Sequence, residues 1–356
     1  MVHKTTVANF EISHLRYLNE HSKLTQNLPT FADDKTLIEL LRLMTLTREL
    51  DQQIINLQRT GQMGTYPSCQ GAEAFSVGIG HAIYKDDVFC PYYRDQGTTI
   101  FRPQGIMGLL QYWGGDERGN NIDSLDQDLP ISVPIASQCL HAVGVAYALQ
   151  YRKQNRAVIC TIGDGGTSEG DFYEAINLAG TWKLPVVFVI NNNQWAISVP
   201  LSAQTACQTI AQKAIGAGID GEQIDGNDVI AVRETVREAI DKARSGNGPT
   251  VIETLTFRLS DHTTADDATR YQPQDVVQQE SKKEPIARLY NYLLATQIIT
   301  KAQYEKMSQK CKADIDKSIE EFLKIPKDKA TSPFDHLYEN LPEALIDQYH
   351  EIGATK

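Results

Sequence analysis

The chain is predicted to be an α/β protein: a parallel sheet flanked by helices on both faces, with a helical C-terminal extension. Three observations point there. Residues 156–163 (RAVICTIG) and 185–193 (PVVFVINNN) are short, largely apolar runs of the kind that form strands buried on both faces. Residues 168–182 (SEGDFYEAINLAGTW), between them, have helical spacing, which makes a strand–helix–strand unit with parallel strands. A further helix at 228–249 and strand at 250–262 continue the alternation.

Taken in order, residues 1–30 are polar and weakly periodic, an arm on the surface or against a partner. From Asp34, the residues Leu37, Leu40, Leu41, Met44, Leu50, Ile54 and Leu57 recur at three- and four-residue spacing until TGQMG ends a long amphipathic helix. Residues 70–83 make a second helix rich in small residues, and 86–97 a short strand that empties into a polar loop. The alanines and glycines of 137–153 suit a closely packed third helix. From Glu284 the character changes: 285–297 is helical, Thr300 with Gln303 makes a capping box, and Tyr304, Met307, Cys311, Ile315, Ile319 and Phe322 form a stripe. The expected division is an arm (1–33), an α/β domain (34–283) and a helical extension (284–356).

A net charge of -11 argues against nucleic acid or an anionic membrane as the main partner, because both require a basic footprint. The six cysteines form no CxxC pair and read as buried thiols, hence a reducing compartment. The first twenty residues lack a signal-peptide apolar core, and no run approaches the roughly 18 apolar residues of a membrane span. The expected location is cytoplasmic.

Ligands of open α/β sheets bind beyond the carboxyl ends of strands. The first central strand ends in Gly163-Asp164-Gly165-Gly166, a loop whose N–H groups, backed by a helix, suit an anion. A dinucleotide fingerprint needs glycine where Ser168 stands, and no P-loop lysine follows. The second strand ends in Asn191-Asn192-Asn193. Adjacent strands lie about 5 Å apart, so Asp164 and an asparagine can share one hard cation, Mg²⁺ or Ca²⁺, which would reconcile a carboxylate with phosphate. Read alone, Asp164 could equally cap the next helix and the asparagines form a turn. Glu169 and Asp171 are expected in the first helical turn, favoured by its dipole. Arg94 suits a charge-assisted phosphate contact or a surface pair with Asp95. Of eight histidines, His262 alone stands at the C-terminal end of a strand, opening a polar loop; the rest suit solvated or packed roles.

Residues 163–198, GDGGTSEGDFYEAINLAGTWKLPVVFVINNNQWAIS, resemble the thiamine-diphosphate motif, in which an asparagine pair follows GDG one strand–helix–strand later. In detail, together with PYYRDQ (91–96), SVPIASQ (132–138), IDGND (224–228) and RLSDHTTADDATRY (258–271), the chain resembles α subunits of 2-oxo acid dehydrogenase E1 components over roughly residues 35–345. The closest flavour is bacterial pyruvate dehydrogenase, with branched-chain 2-oxo acid dehydrogenase a near relative; branched-chain 2-oxo acid and acetoin dehydrogenase stay open as alternatives. The resemblance implies the thiamine-diphosphate-binding fold. It implies Mg²⁺ held by Asp164, the Asn193 side chain and the Trp195 carbonyl, and diphosphate gripped by Tyr93, Arg94 and His262. Ile135 would prop the bent cofactor, with Val133, Gly165 and Gly166 lining the pocket. Ser132, Pro134, Ser137 and Gln138 match a monovalent-cation (K⁺) site. Some relatives carry arginine where Asn191 stands, leaving more of the diphosphate to Tyr93, Arg94 and His262. Thr263 falls where mitochondrial relatives carry a regulatory serine.

The implied activity is oxidative decarboxylation of a 2-oxo acid with transfer of the acyl unit to lipoyl-E2, with His262 on a mobile loop assisting the transfer. The acid that activates the cofactor comes from a second module in this family. No second α/β half is found here, so a β subunit in an α₂β₂ assembly is implied. A Mg²⁺-dependent phosphohydrolase would need an aspartyl nucleophile motif or a Walker lysine, and neither is present. A non-catalytic assembly subunit would not need the Asp164, Asn193, Arg94 and His262 set.

Overall fold

The computed structural model describes residues 4–120, 128–335 and 337–354; His3 and His336 lie outside them. The two apolar runs become β3 (Val158–Gly163) and β4 (Val186–Asn192), joined by the helix Gly170–Trp182. Around them, β1 (His14–Leu15), β2 (Val88–Cys90), β7 (Asp220–Asp225) and β8 (Thr250–Leu255) complete a six-stranded sheet among the described residues, in the order β1-β7-β8-β4-β3-β2. Every pairing is parallel. A small hairpin, β5 (Trp195–Ala196) with β6 (Val199–Pro200), stands outside the sheet directly after β4. The expected α/β class, with helices on both faces, is what the chain forms.

Strand alternation divides the apolar residues between the faces. Cys160, Ile162, Phe188 and Ile190 pack under the helices Ser137–Tyr151 and Gly170–Trp182. Ile159, Val187, Val189 and Ile252 face the helices Glu73–Ala82 and Val229–Arg244. A third core joins the long helix Asp34–Arg59 to Pro285–Ala295 and Lys301–Phe322. Cys311 and Ile315 are the buried centre of the expected stripe, and the Thr300–Gln303 capping box forms. Cys207 is partly exposed; the other five cysteines are buried, and all six are free.

Two expectations, the peripheral arm and the end of the strand at 250–262, need correction, and unanticipated elements join the fold. The arm is not wholly peripheral: His14–Leu15 adds the edge strand, and the Tyr17 and Leu18 N–H groups donate to buried Asp228 at 2.6 and 2.7 Å. Strand β7 escaped notice because DGEQID is polar, which its place beside the edge allows. The helix Gly105–Trp113 was likewise not anticipated. Strand β8 ends at Leu255 rather than at residue 262, although the Thr256 and Arg258 N–H groups still bond the Asn192 and Asn193 carbonyls at 3.0 and 3.2 Å. His262 therefore sits on a loop and not at the strand end.

The third core is tied to the body by Arg48, which donates to Glu73 and, at 3.2 Å, to Glu284. Glu284 in turn caps the helix Pro285–Ala295 through the Ile286 and Ala287 N–H groups. Glu73 is fully buried, and that burial pushes its carboxyl pKa up, so its ionised form depends on Arg48. Arg48→Met is expected to destabilise the protein by about 3–5 kcal/mol, as removal of one partner from a buried pair does. Adding Glu73→Gln should restore part of the loss, both read from urea unfolding.

Candidate active site

The register of β3 against β4 pairs Gly163 with Asn191, and the Asp164 N–H donates to the Asn191 carbonyl at 3.2 Å. Asp164 is thereby held at the sheet's carboxyl end, 2% exposed. Its carbonyl accepts from the Thr167 hydroxyl at 2.7 Å, and one carboxylate oxygen accepts from Gln204 Nε2 at 2.9 Å. Burial pushes this carboxyl's pKa up. A Cβ on Gly165 would lie 2.6 Å from the Ala196 side chain, and one on Gly166 2.7 Å from Ile162, so only glycine lets the loop settle between hairpin and strand. Asn193 Oδ1 accepts from the Trp195 N–H at 3.2 Å, which sets the turn from β4 into the hairpin.

The opposite contribution comes from Arg94 and His262. Arg94 is 3% exposed and makes no ion pair among the described residues. Asp95 is turned away, accepting from the Tyr92 N–H at 2.9 Å and from the Thr161 hydroxyl, so the expected alternative of an Arg94–Asp95 surface pair does not form. Arg94 instead donates to the Ser68 and His262 carbonyls and approaches His262 Nδ1 at 2.9 Å. A guanidinium can only donate, so Nδ1 accepts and the neutral ring carries its proton on Nε2. Burial, then the charges of Arg94 and Arg258, press the His262 pKa down to about 4. The ring stands edge-on to Tyr93, with centroids 6.4 Å apart. The His262 N–H donates to Asp266 at 2.8 Å, and Asp266 also accepts from Tyr271, whose hydroxyl accepts from Arg258 at 2.6 Å.

These residues line one cavity of about 220 Å³: Tyr93, Arg94, Ile135, Asp164, Gly165, Gly166, Asn193, Trp195 and His262 all border it. Residues 41–331 match the family described as Dehydrogenase E1 component. The chain is 38% identical to the pyruvate dehydrogenase E1 component subunit alpha of Staphylococcus aureus over 353 residues, covering 99% of this chain and 95% of that protein. It is 37% identical to the protein of the same name from Mycoplasma genitalium over 332 residues, 93% of each chain.

This chain belongs to the dehydrogenase E1 component family. Its parallel sheet is the thiamine-diphosphate-binding fold of that family, and the GDG loop and asparagine run sit at adjacent strand ends of it.

Not every expected residue of the E1 chain meets the cavity. Val133 is 50% exposed and absent from its walls, because Ser132 turns inward to Ser137 (Oγ to Oγ 2.7 Å) and the next side chain points out. Asn191 is fully buried in the sheet, donating to the Tyr92 hydroxyl at 2.8 Å and accepting from Thr256 at 2.5 Å. Glu169 precedes its helix as the N-cap and borders the cavity; Asp171 alone occupies the first turn. Among the described residues, no cluster of three or more His, Cys, Asp or Glu is arranged to hold a metal. A cation here would rest on one carboxylate with amide and carbonyl oxygens.

Two residues escaped the sequence analysis. Arg258, 2% exposed, supports His262 through Tyr271 and Asp266; its place in TLTFRLSDH, where it continues the alternation of β8, was a usable signal. Gln204 reaches Asp164 from across the hairpin, which nothing in its local sequence announces.

His262 is expected to stay neutral down to about pH 4, against an ordinary value near 6.5. Its folded pKa is depressed, so its contribution to stability is present above pH 6.5 and is lost as pH falls through 4. Arg94→Met should raise the pKa while leaving it below 6.5, since burial persists. Both are read from the ¹H–¹⁵N correlations of the ring across pH.

Proposed function

We propose that this chain is the α subunit of a pyruvate dehydrogenase E1 component, acting in oxidative decarboxylation of pyruvate and acetyl transfer to lipoyl-E2. One observation carries the site assignment. A single cavity is bordered both by a buried carboxylate, Asp164, and by a buried guanidinium, Arg94, that has no carboxylate partner among the described residues. Such a site calls for an anion and a cation together, which thiamine diphosphate with Mg²⁺ supplies. Asp164, the Asn193 side chain and the Trp195 carbonyl would hold the metal. Tyr93, Arg94 and the Nε2–H of His262 would take the diphosphate, and Ile135 would support the bent cofactor. Bound thiamine diphosphate provides the carbon nucleophile and electron sink.

This chain's own part is to hold charge. Neutral His262 donates from Nε2 rather than taking a proton at neutral pH, because Arg94 occupies Nδ1. Its loop is tethered through Asp266 and Tyr271, so the donor is fixed in direction. Ser132 and Ser137 converge with the Pro134 carbonyl, and Gln138 Oε1 is buried without a partner among the described residues; this oxygen set favours the monovalent-cation (K⁺) assignment.

A cavity of about 220 Å³ is smaller than the roughly 300–1,000 Å³ of most ligand pockets. Val133, Ile135, Ile197 and Val199 are exposed apolar residues on the segments around it. Both features favour a site completed by a β subunit in an α₂β₂ assembly. We take residues 34–283 as the cofactor-binding unit, with the arm (1–33) and extension (284–356) as supports, and a cytoplasmic location; no helix among the described residues is long and apolar enough to cross a membrane.

Asp164→Ala is expected to abolish Mg²⁺-dependent binding of thiamine diphosphate in calorimetry; retained affinity would overturn the ligand assignment. His262→Ala should reduce lipoyl acylation more than decarboxylation followed with an artificial electron acceptor, and equal losses would end that division of labour. Co-expression with the β subunit and turnover of pyruvate against 3-methyl-2-oxobutanoate tests the substrate: a preference for the branched acid would replace pyruvate.

A further inference from the structure

Asp51 lies on the helix Asp34–Arg59, 1% exposed and without an ion pair among the described residues. Its Oδ1 accepts from the Tyr66 hydroxyl and the Cys69 N–H, each at 2.7 Å, and its Oδ2 from the Ser68 hydroxyl at 2.6 Å. A carboxylate that spends both oxygens on three donors from one short stretch fixes the path of that stretch. None of these residues borders the cavity. The stretch nevertheless touches both groups that act there. The Ser68 carbonyl accepts from Arg94. The Tyr66 N–H donates to Thr264 Oγ1 at 3.1 Å, and the Tyr66 carbonyl accepts the Thr264 N–H at 2.9 Å. On the other side of His262, the Leu259 N–H donates to the Gln70 carbonyl at 3.4 Å. Gly71 closes the stretch with φ +93°, and a Cβ there would lie 2.2 Å from the Phe257 carbonyl, so backbone meets backbone directly.

We propose that Asp51 is a positioning residue for the reaction: it holds residues 66–70 as a fixed ledge that sets Arg94 and, from both flanks, the loop carrying His262. It works through hydrogen bonds alone and reaches neither cofactor nor substrate. The functional consequence rests on Arg94 and His262 being diphosphate ligands; the positioning itself does not. Asp51→Asn keeps the shape but replaces an accepting oxygen with an NH₂ group, so at least one of the three donors loses its partner.

The test is hydrogen–deuterium exchange on the full chain assembled with its β subunit, alongside the thiamine-diphosphate dependence of turnover. In Asp51→Asn, peptides covering residues 259–265 should exchange about tenfold faster, the scale of one lost hydrogen bond, while β3 and β4 stay protected. The KM for thiamine diphosphate should rise about tenfold with kcat at saturation changed less than about threefold. Thr264→Val should show the same local opening, and the double variant should be no worse than either single one. Unchanged exchange at 259–265, or acceleration spread evenly over the sheet, would overturn the proposal. Local opening with an unchanged cofactor KM would uphold the ledge and overturn the diphosphate role of Arg94 and His262. Should Asp51→Asn fail to assemble, Tyr66→Phe removes one donor only and must give a smaller opening at the same peptides, or the proposal falls.

Discussion

The site depends first on the in-register parallel pairing of β3 with β4. Side chains alternate along a strand, so a one-residue slip would exchange the two sets of β3 side chains between cores that are packed differently. Both faces of this sheet are buried, which makes the register unforgiving. Because Gly163 is opposite Asn191, both strands run out at the same level and their polar tails emerge side by side. The bond from the Asp164 N–H to the Asn191 carbonyl continues the ladder one residue beyond β3. Gly165, directly after Asp164, then lets the chain turn under the hairpin without a Cβ against Ala196, and Gly166 does the same against Ile162.

A second constraint is electrostatic. Burying Arg94 with no carboxylate partner among the described residues is costly, because water is lost and no countercharge there replaces it. The chain compensates with neutral acceptors: two backbone carbonyls and an imidazole nitrogen. Those acceptors settle the guanidinium's position while leaving its charge unneutralised, which is the condition for attracting an anion. Burial keeps His262 uncharged and this arrangement reinforces it, while the bond at Nδ1 fixes which nitrogen bears its proton. Arg94 is thus a candidate binding group that also determines the chemistry of its neighbour.

Much of the rest is support. The helix Asp34–Arg59 carries Asp51 toward the site and Arg48 toward the C-terminal extension, so one element links the stretch beside the His262 loop to the outer core. The loop bearing His262 hangs from Tyr66 and Gln70 on one side and is braced by Asp266, Tyr271 and Arg258 on the other. Asn191 bridges the sheet to the Tyr92 hydroxyl and Thr256, holding the end of β4 to its neighbours.

The apolar runs of β3 and β4 and the stripe of the extension were legible because burial imposes a period that local sequence must carry. The GDG loop and its asparagines were legible for a related reason: they are short, local, and tied to strand ends. Polar β7 was not, since a near-edge strand need not be apolar, nor was the end of β8, because TFRLS keeps a strand's alternation, and two of its bonds to β4's tail, after the regular pairing ends at Leu255. Residue types and spacing alone sufficed for the fold class, for placing Asp164 beside an asparagine of the neighbouring strand end, and for interest in Arg94 and His262; the choice of Asn193 among the asparagines came from the family resemblance. That Asp95 turns from Arg94, that Val133 leaves the cavity, that His262 is neutral with its proton on Nε2, and that Asp51, Gln204 and Arg258 stand behind the site were decided only by tertiary structure. Each of these turns on which distant groups share a hydrogen bond or a desolvated space, and neither leaves a period in the chain.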